Sequence, residues 1–350
     1  MVDENTDFFK YVDNFAKTAH AVSIRILEAK VGEKMKITIA IPTYKRAELL
    51  REAIDSALNQ IYDDNYEVLV VDNNPERDDE TEKLVCSYSN CNVSYYKNAE
   101  NLGMAGNWNR CVTLARGEFV ILLHDDDMLY PYFLSVCSFY LNVFDIGILK
   151  PRNSLEYAPV REFETRNWPI KQVLYTDFYF AHVVGVPSGI IYKKEYFITV
   201  GGFNSDYYPS LDYCFHAFFA KVYPVYTLDV VLSFYRVECN ISMNSNTKRG
   251  WLVTDSYLIR QILKEQKMPC SIIETFLSRR TSKVQQWIMQ HWGSFDFCLS
   301  EIGLNETSVV SGVLSHMVVY ANICGRRVEN YIKRKLYACK LSLIHISEPT

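Results

Sequence analysis

The chain has 350 residues, of which 49% are hydrophobic and 22% are charged, and its formal net charge is −4. This composition is typical of a globular protein with a sizeable core, and the acidic balance argues against a nucleic-acid binder, which usually carries a basic excess. Ten cysteines occur without a Cys-x-x-Cys pair or a zinc-type spacing, so we expect reduced thiols and no disulfide framework.

The two ends of the chain are predicted to lie outside the main fold. Residues 1–35 carry apolar side chains at helical spacing, including Phe8, Val12 and Phe15, which predicts an amphipathic N-terminal helix. Neither a secretory signal nor a run of about 20 apolar residues is visible, which predicts a cytoplasmic protein. The last ten residues, LSLIHISEPT (341–350), resemble a translated sequencing adapter, and we expect this tail to be non-native.

From residue 36 onward, apolar runs alternate with helical patterns. The predicted strands cover 37–41, 68–71, 93–96 and 119–123, and predicted helices cover 47–60 and 104–115. Alternation of this kind indicates crossover units and a largely parallel sheet with helices on both faces.

The pattern changes after residue 131. Helices are predicted at 131–144 and near 211–221, and strands at 146–150, 222–228 and 230–235, with a short apolar run at 190–192. A Pro- and charge-rich stretch that reaches about residue 175 is predicted to be irregular. Residues 251–340 are predicted to be mostly helical.

Polar residues follow three of the predicted parallel strands. Thr43 and Tyr44 follow the first strand, Asp72 and Asn73 follow the second, and His124 with Asp125–Asp127 follows the fourth. Ligands of parallel sheets bind outside the carboxyl ends of the strands. We therefore expect these three groups to converge at one edge of the sheet.

The acid cluster Asp125–Asp127 predicts a cation site. Adjacent carboxylates raise each other's pKa unless a cation compensates them, and Mg²⁺ or Mn²⁺ is often held by one or two carboxylates together with substrate phosphates. The chain has no Walker-type loop and no Gly-x-Gly-x-x-Gly motif, so a metal is the predicted phosphate holder. The alternative is a solvated acidic turn that caps helix 131–144.

Four segments together resemble the family 2 glycosyltransferases of GT-A fold. They are IAIPTYKR (39–46), EVLVVDNN (67–74), NLGMAGNWNRC (101–111) and GEFVILLHDDDMLYP (117–131), and their order and spacing also match. A looser resemblance continues through 186–204, 210–215 and 234–242. It implies an α/β, Rossmann-like GT-A domain over 36–245, with a mostly parallel sheet flanked by helices, and a helical C-terminal region over 246–340.

The resemblance also implies a role for individual residues. Thr43 and Asp72 would contact the nucleotide base and ribose with Tyr44 and Arg46 nearby, while Asn73, Asn101 and Gly103 would line the nucleotide pocket. Asp126 would be the main Mn²⁺ or Mg²⁺ ligand of the DXD motif, assisted by Asp125 on the donor side and by Asp127. Arg236 would approach the leaving diphosphate. Asp212 would be the general base, although on the sequence alone it could be a first-turn helix acid.

The chain departs from the family pattern at three positions. Asn73 replaces the second of two acids, His124 stands where the first DXD acid is common, and Leu211 replaces a Glu that often precedes the base. His182, His216, His291 and His316 are isolated in sequence and are predicted to be packed or surface histidines. Trp108 is predicted to pack in the core.

The resemblance predicts an inverting transfer of a sugar from a nucleotide donor, by default a UDP-sugar, to a hydroxyl of a glycan or lipid-linked glycan, as in bacterial surface-polysaccharide assembly. A non-catalytic nucleotide-sugar-binding partner is an alternative that rests on Asn73 and Leu211. A nucleotidyltransferase is a second alternative, disfavoured because no Gly-rich, basic loop follows the first strand.

The segment Val309–Cys324 is apolar and precedes a basic stretch. It is either an interfacial helix on an anionic membrane, so that 309–340 makes peripheral contact, or a core helix with a basic end.

Overall fold

The computed structural model describes residues 37–88, 92–157, 167–237, 244–308, 310–322 and 324–325. The predicted N-terminal helix and the tail 341–350 lie outside these residues. The chain divides into two compact units. The first contains the segments up to 173, 184–205 and 218–239, and the second contains 174–183, 206–217 and the chain from 240 onward.

The described part of the first unit is built on a nine-stranded sheet. Its strands are β1 (Ile37–Thr43), β2 (Tyr66–Asp72), β3 (Val93–Lys97), β4 (Phe119–Leu122), β5 (Met128–Leu129), β6 (Ile148–Ser154), β7 (Ile170–Val173), β8 (Ile190–Lys193) and β9 (Val225–Phe234). Their order is β3-β2-β1-β4-β8-β6-β9-β5, with β7 also paired to β9.

The sheet is mixed. Strands β1 to β4 are parallel to one another, as predicted. Strand β8 lies antiparallel between β4 and β6, and β5 and β7 run antiparallel to β9. The α/β fold class is confirmed. The second half of the sheet is mixed, because β8, β5 and β7 are antiparallel to their neighbours whereas β6 and β9 are parallel to each other.

Helices of the first unit cover the sheet. They are α1 (Ala47–Leu58), α2 (Glu80–Cys86), α3 (Gly103–Leu114), α4 (Phe133–Val143) and α5 (Lys194–Val200); α6 (Leu211–Val222) enters this unit at Phe218. Helix α1 buries Leu50, Ala53, Ile54 and Ala57, whose spacing places them on one helical face. These side chains join one core with β1, β2, β4 and α4, while α3 packs on the other side of the strands.

Three strand predictions are corrected. The two strands expected at 222–228 and 230–235 are the single strand β9, because Asp229 is one exposed position within it, and its backbone N–H donates to the Pro169 carbonyl. The stretch before residue 175 was predicted to be irregular, yet it contains β7, an edge strand held by β9. Strand β5 has two residues and was not predicted.

The second unit is largely helical, in agreement with the prediction for 251–340 over the described residues. It contains the start of α6, then α7 (Ser245–Glu265), α8 (Cys270–Trp292) and a helix at 310–322, called α9. Helices α7 and α8 pack through a buried Ser256–Thr281 hydroxyl contact of 2.9 Å, and the Phe276 and His316 rings join α8 to α9. Among the described residues, no helix is both long and apolar enough to cross a bilayer.

Candidate functional site at the carboxyl edge of the sheet

The polar groups expected to converge do so. Thr43 and Asp72 are register partners at the ends of β1 and β2. The Asn73 N–H donates to the Thr43 carbonyl at 2.9 Å. The Thr43 hydroxyl donates to Asp125 Oδ2 at 2.8 Å across 82 residues of sequence. The prediction of a single polar edge is therefore confirmed.

Each aspartate of the cluster has a different partner. Asp125 accepts from Thr43, and Asp126 Oδ2 accepts from Arg46 Nη1 at 2.7 Å. Asp127 Oδ1 accepts from the backbone N–H of Arg236 at 2.8 Å, and the Arg236 side chain donates to the Asp126 carbonyl. Two guanidinium groups thus lie beside three carboxylates.

The cluster keeps an excess of negative charge. Burial, with the neighbouring Asp126 charge adding to it, raises the pKa of Asp125 to about 6 and that of Asp127 to about 7. Lys150, which is buried and donates to the Ser188 carbonyl, does not remove the excess, since burial lowers its own pKa to about 7. An additional cation would relieve this charge.

A divalent cation fits the donor atoms that are present. His124, Asp126 and Asp127 each offer a ligand atom, and these atoms lie within 4.8 Å of one another. Two potential ligand atoms, His124 Nε2 and Asp127 Oδ2, are buried without a hydrogen-bond partner, which is costly unless a ligand satisfies them. Two carboxylates and an imidazole suit Mn²⁺ better than Mg²⁺, which prefers oxygen ligands.

The alternative of a helix-capping acidic turn is wrong. Helix α4 starts at Phe133 and is preceded by Tyr132 at the N-cap position, with no acid in its first turn. The three aspartates instead lie between the end of β4 and the start of β5, where the strand geometry directs them to the sheet edge.

His124 is held in place by its neighbours. The Trp108 ring stacks on the imidazole with centroids 5.0 Å apart, and the backbone N–H of His124 donates to Ser188 Oγ at 3.1 Å. Burial lowers the pKa of His124 to about 4, so the ring is the neutral form that binds metals. Trp108 was predicted to pack in the core, but it is only partly buried and packs on the candidate ligand His124 and on Phe203.

Asp72 is fully buried and already hydrogen-bonded. It accepts from the Asn74 N–H at 2.9 Å and from the Tyr95 hydroxyl at 2.8 Å, and Lys97 Nζ lies 3.1 Å from its Oδ2. Lys97 also pairs with Asp79 at 2.9 Å. The structure thus places Asp72 beneath the surface of the sheet edge, within a hydrogen-bond network that fixes the loop after β2.

Asn73 organises the loop that begins α3. Its amide N–H groups donate to Asn101 Oδ1 at 2.8 Å and to the Gly103 carbonyl, and its Oδ1 accepts from Asn98 and from the Leu102 N–H. An aspartate could not donate these bonds. The departure from the family pattern at this position therefore has a structural reason.

The remaining donor-side residues lie at the rim. Tyr44 is exposed, and Gly103 has a φ of 70°, a left-handed conformation that favours glycine. Asn101 accepts from the Gly103 N–H at 2.9 Å. Arg236 also pairs with Glu52, which orients its guanidinium beside the cluster.

Asp212 belongs to the second unit, in the first turn of α6. Its Oδ1 accepts from the Tyr213 N–H at 2.9 Å. Burial, assisted by the charge of Asp255, raises its pKa to about 7. His182 and His216, which are isolated in sequence and were predicted to be packed or surface histidines, contact each other: their ring nitrogens are 3.1 Å apart, and His182 lies beside Asp212.

The fold and the edge site define an α/β protein of the GT-A class. Residues 38–149 match the model of the family described as Glycosyl transferase family 2. This segment, which is less than half of the chain, is similar to the family 2 glycosyltransferases.

Curated relatives are similar to part of this chain. A Rickettsia typhi protein named as an uncharacterized glycosyltransferase is 39% identical over 95 residues, which is 27% of this chain and 28% of the relative. The putative colanic acid biosynthesis glycosyl transferase WcaA of Escherichia coli is 33% identical over 100 residues, or 29% of this chain and 36% of the relative. The match to a Rickettsia felis glycosyltransferase spans 15% of that protein.

Solved structures extend the similarity in fold. Staphylococcus aureus TarS, residues 1–349, solved in complex with UDP, superposes with a TM-score of 0.54 at 18% identity. The superposition covers 76% of this chain and 77% of TarS. This level of identity supports the shared fold.

Proposed function

We propose that the chain is an inverting glycosyltransferase that moves a sugar from a nucleotide-diphosphate donor to a hydroxyl of a glycan or lipid-linked acceptor. The observation that carries this proposal is the edge cluster. His124 and Asp127 present unpartnered buried ligand atoms beside Asp126, and two arginines flank them. A cation and guanidinium groups together are the partners that a diphosphate requires.

The donor is proposed to lie along the edge formed by β1, β2 and β4. Thr43, fixed by Asp125, and the rim residues Tyr44 and Asn101 would contact the nucleoside, while Arg46 and Arg236 would orient the diphosphate. His124, Asp126 and Asp127 would hold Mn²⁺ or Mg²⁺, which when bound would supply Lewis-acid stabilisation of the charge on the leaving diphosphate.

The proton is proposed to leave through Asp212. Its carboxylate would take the proton of the acceptor hydroxyl as that oxygen attacks the anomeric carbon. A single displacement inverts the configuration. Because burial raises the pKa of Asp212 to about 7, it is a stronger base than an ordinary carboxylate near neutral pH.

The donor and acceptor classes are proposed from the relatives. S. aureus TarS was solved with UDP and with UDP-GlcNAc, which supports UDP as the nucleotide. The name of WcaA refers to colanic acid biosynthesis, which supports a polysaccharide or lipid-linked glycan acceptor.

The decisive experiment is a panel of nucleotide sugars assayed for donor hydrolysis and transfer with Mn²⁺, with Mg²⁺ and with EDTA. We expect one donor to be consumed only when the metal is present. Asp126→Asn should lower kcat at least about 10²-fold, as expected when transition-state charge stabilisation is lost. Asp63→Asn, which changes an exposed acid of the same unit, is the matched control and should retain full activity.

Two other outcomes would reject the proposal. Donor binding without hydrolysis or transfer to any acceptor would indicate a non-catalytic partner. Consumption of a nucleoside triphosphate with release of pyrophosphate would indicate a nucleotidyltransferase. The structural role found for Asn73 removes one of the two sequence features that favoured a non-catalytic chain.

We further propose that α9 contacts the inner face of an anionic membrane. The face of α9 that includes Gly312 and His316 packs against α8 side chains, whereas Val310, Leu314 and Met317 are exposed. An apolar stripe followed in sequence by Arg326, Arg327, Lys333, Arg334 and Lys335 has the composition of an interfacial helix.

A further inference from the structure

Three side chains of the second unit form a line that ends on the proposed base. His182 Nδ1 lies 4.0 Å from Asp212 Oδ2, and His182 Nε2 lies 3.1 Å from His216 Nδ1. The His182 ring also packs against Tyr213, with centroids 4.9 Å apart. His216 is completely buried, whereas the His182 side chain is 24% exposed.

We infer that His182, oriented by His216, is a positioning residue that takes the proton from Asp212 after each transfer and releases it to solvent. This inference rests on the proposed role of Asp212. It adds a residue that neither the family pattern nor the sequence assigned.

The hydrogen bond between the histidines prepares His182 for this role. Either histidine can be the donor of this hydrogen bond, depending on the tautomer. The relay requires the tautomer in which His182 Nε2–H donates to His216 Nδ1, so that His182 Nδ1 keeps its lone pair and faces Asp212. A lone pair facing a carboxyl group favours a proton between the two. A rotation of the Asp212 side chain would shorten 4.0 Å to a hydrogen bond of about 3 Å.

The proton balance is simple. The acceptor O–H bond breaks as the new C–O bond forms, and the proton goes to Asp212 Oδ2. It then moves to His182 Nδ1, which leaves a carboxylate and an imidazolium as neighbours. The imidazolium loses its proton to water, and both groups return to their starting states without an oxidant or a reductant.

The surroundings favour His182 over His216 as the carrier. A charge on the fully buried His216 would lack hydration, whereas His182 reaches solvent. The other titratable groups around the pair and Asp212 are Tyr213, Cys214, Asp255 and Arg280. Arg280 lies 3.9 Å from Asp255 and donates to the Tyr213 hydroxyl, so this cation is already paired.

Variants of His182 test the relay in the transfer assay. His182→Gln keeps an amide where Nε2 contacts His216 but places no base beside Asp212, and His182→Ala removes both functions. We expect each to lower kcat about 10²-fold with little change in the donor KM, and to alter the acid limb of the pH profile. Added imidazole should restore part of the His182→Ala rate, because the position is open to solvent.

The control is His291→Gln, which changes an exposed histidine of α8 and should behave as the parent chain. A His182→Ala variant with the parental rate would overturn the inference. A slower variant with an unchanged pH profile and no response to imidazole would also overturn it, because that result indicates packing alone.

A measurement on the protein itself separates this inference from the proposed function. NMR of ¹⁵N-labelled histidines reports the tautomer and titration of His182 without turnover. Replacing Asp212 by Asn should move the His182 titration to lower pH, because a carboxylate favours the imidazolium. An unchanged titration would overturn the relay even in an active enzyme, whereas absence of turnover with every donor would reject the proposed function alone.

Discussion

Burial of Asp212 sets the pH range in which it can act as a base. Its pKa is raised to about 7, so the carboxylate that the proposed reaction needs is fully present only above neutral pH. The same burial has a consequence for stability, because a carboxyl group whose folded pKa is raised binds protons more tightly in the folded chain than in the unfolded chain.

We therefore expect Asp212→Asn to stabilise the chain at alkaline pH. The stability that Asp212 contributes is fully present below about pH 4, the ordinary carboxyl pKa, and is lost as the pH rises through about 7. At pH 8 the variant should have a free energy of unfolding higher by on the order of 1–3 kcal/mol. Urea unfolding at pH 5 and at pH 8 measures the difference.

The matched control is Asp296→Asn, which changes an exposed acid of the same unit. It should leave the free energy of unfolding unchanged at both pH 5 and pH 8. An Asp212→Asn variant that is less stable than the parent at pH 8 would show that the ionised carboxylate is compensated in the folded chain.

Sequence patterns identified many single residues of the site but not their partners. The acids after β4 and Thr43 were predictable, because strand ends of a parallel sheet share an edge. The His182–His216 pair was not, because its members come from two segments whose approach depends on tertiary packing. His124 was noted as a deviation, and only the geometry makes it a candidate ligand.

At the scale of elements, the loop after β2 is coupled to the start of α3 through Asn73. Its single side chain makes four hydrogen bonds that join Asn98, Asn101, Leu102 and Gly103. The rim residues that are proposed to bind the nucleotide therefore depend on the side-chain amide of Asn73 for their positions.

Asn73→Ala should uncouple this loop. We expect a loss of about 2–4 kcal/mol in the free energy of unfolding, because buried partners such as Asn98 are left unsatisfied. Donor affinity should fall as well, since Asn101 and Gly103 lose their support. Chemical denaturation and calorimetric donor titration would measure both, with Asn65→Ala, in an exposed turn, as the control. Unchanged donor affinity together with reduced stability would exclude the rim from the donor site.

The spacing of apolar residues predicted the helices that bury one apolar face in the core. Helices α1, α3 and α4 lie within two residues of the expected 47–60, 104–115 and 131–144. Strands β5 and β7 were missed because each is held by pairing with β9, which is distant in sequence. Strand β9 was predicted as two strands for a related reason. A polar residue such as Asp229, which is tolerated at one exposed position of a strand, resembles the end of a strand in the sequence.

At the scale of the whole molecule, the exposed stripe on α9 makes a prediction about membranes. The chain should co-sediment with vesicles that contain anionic lipid, and binding should weaken as salt rises. The double variant Leu314→Glu, Met317→Glu should lose most of this binding, because it removes apolar area and adds negative charge. Gln285→Glu, on α8, adds charge outside the stripe and is the control.

Equal sedimentation of parent and double variant would mean that α9 is not the contact. No sedimentation of the parent with anionic vesicles would reject membrane association through this helix. The sequence alone left a core helix and an interfacial helix open, because both have one apolar face. The exposure of Val310, Leu314 and Met317 supports the proposal of an interfacial helix, which the vesicle assay tests.

The contact between Arg236 and the acid cluster has a consequence for the order of events during synthesis. The Arg236 N–H reaches Asp127 across 109 residues, and its guanidinium reaches Glu52 across 184. A nascent chain that has emerged only through residue 149 contains the whole family-matched segment but lacks this closing donor. Because such distant contacts form only after their loop-closure entropy is overcome, the last part of the cluster to be completed is the one that the translating ribosome delivers last.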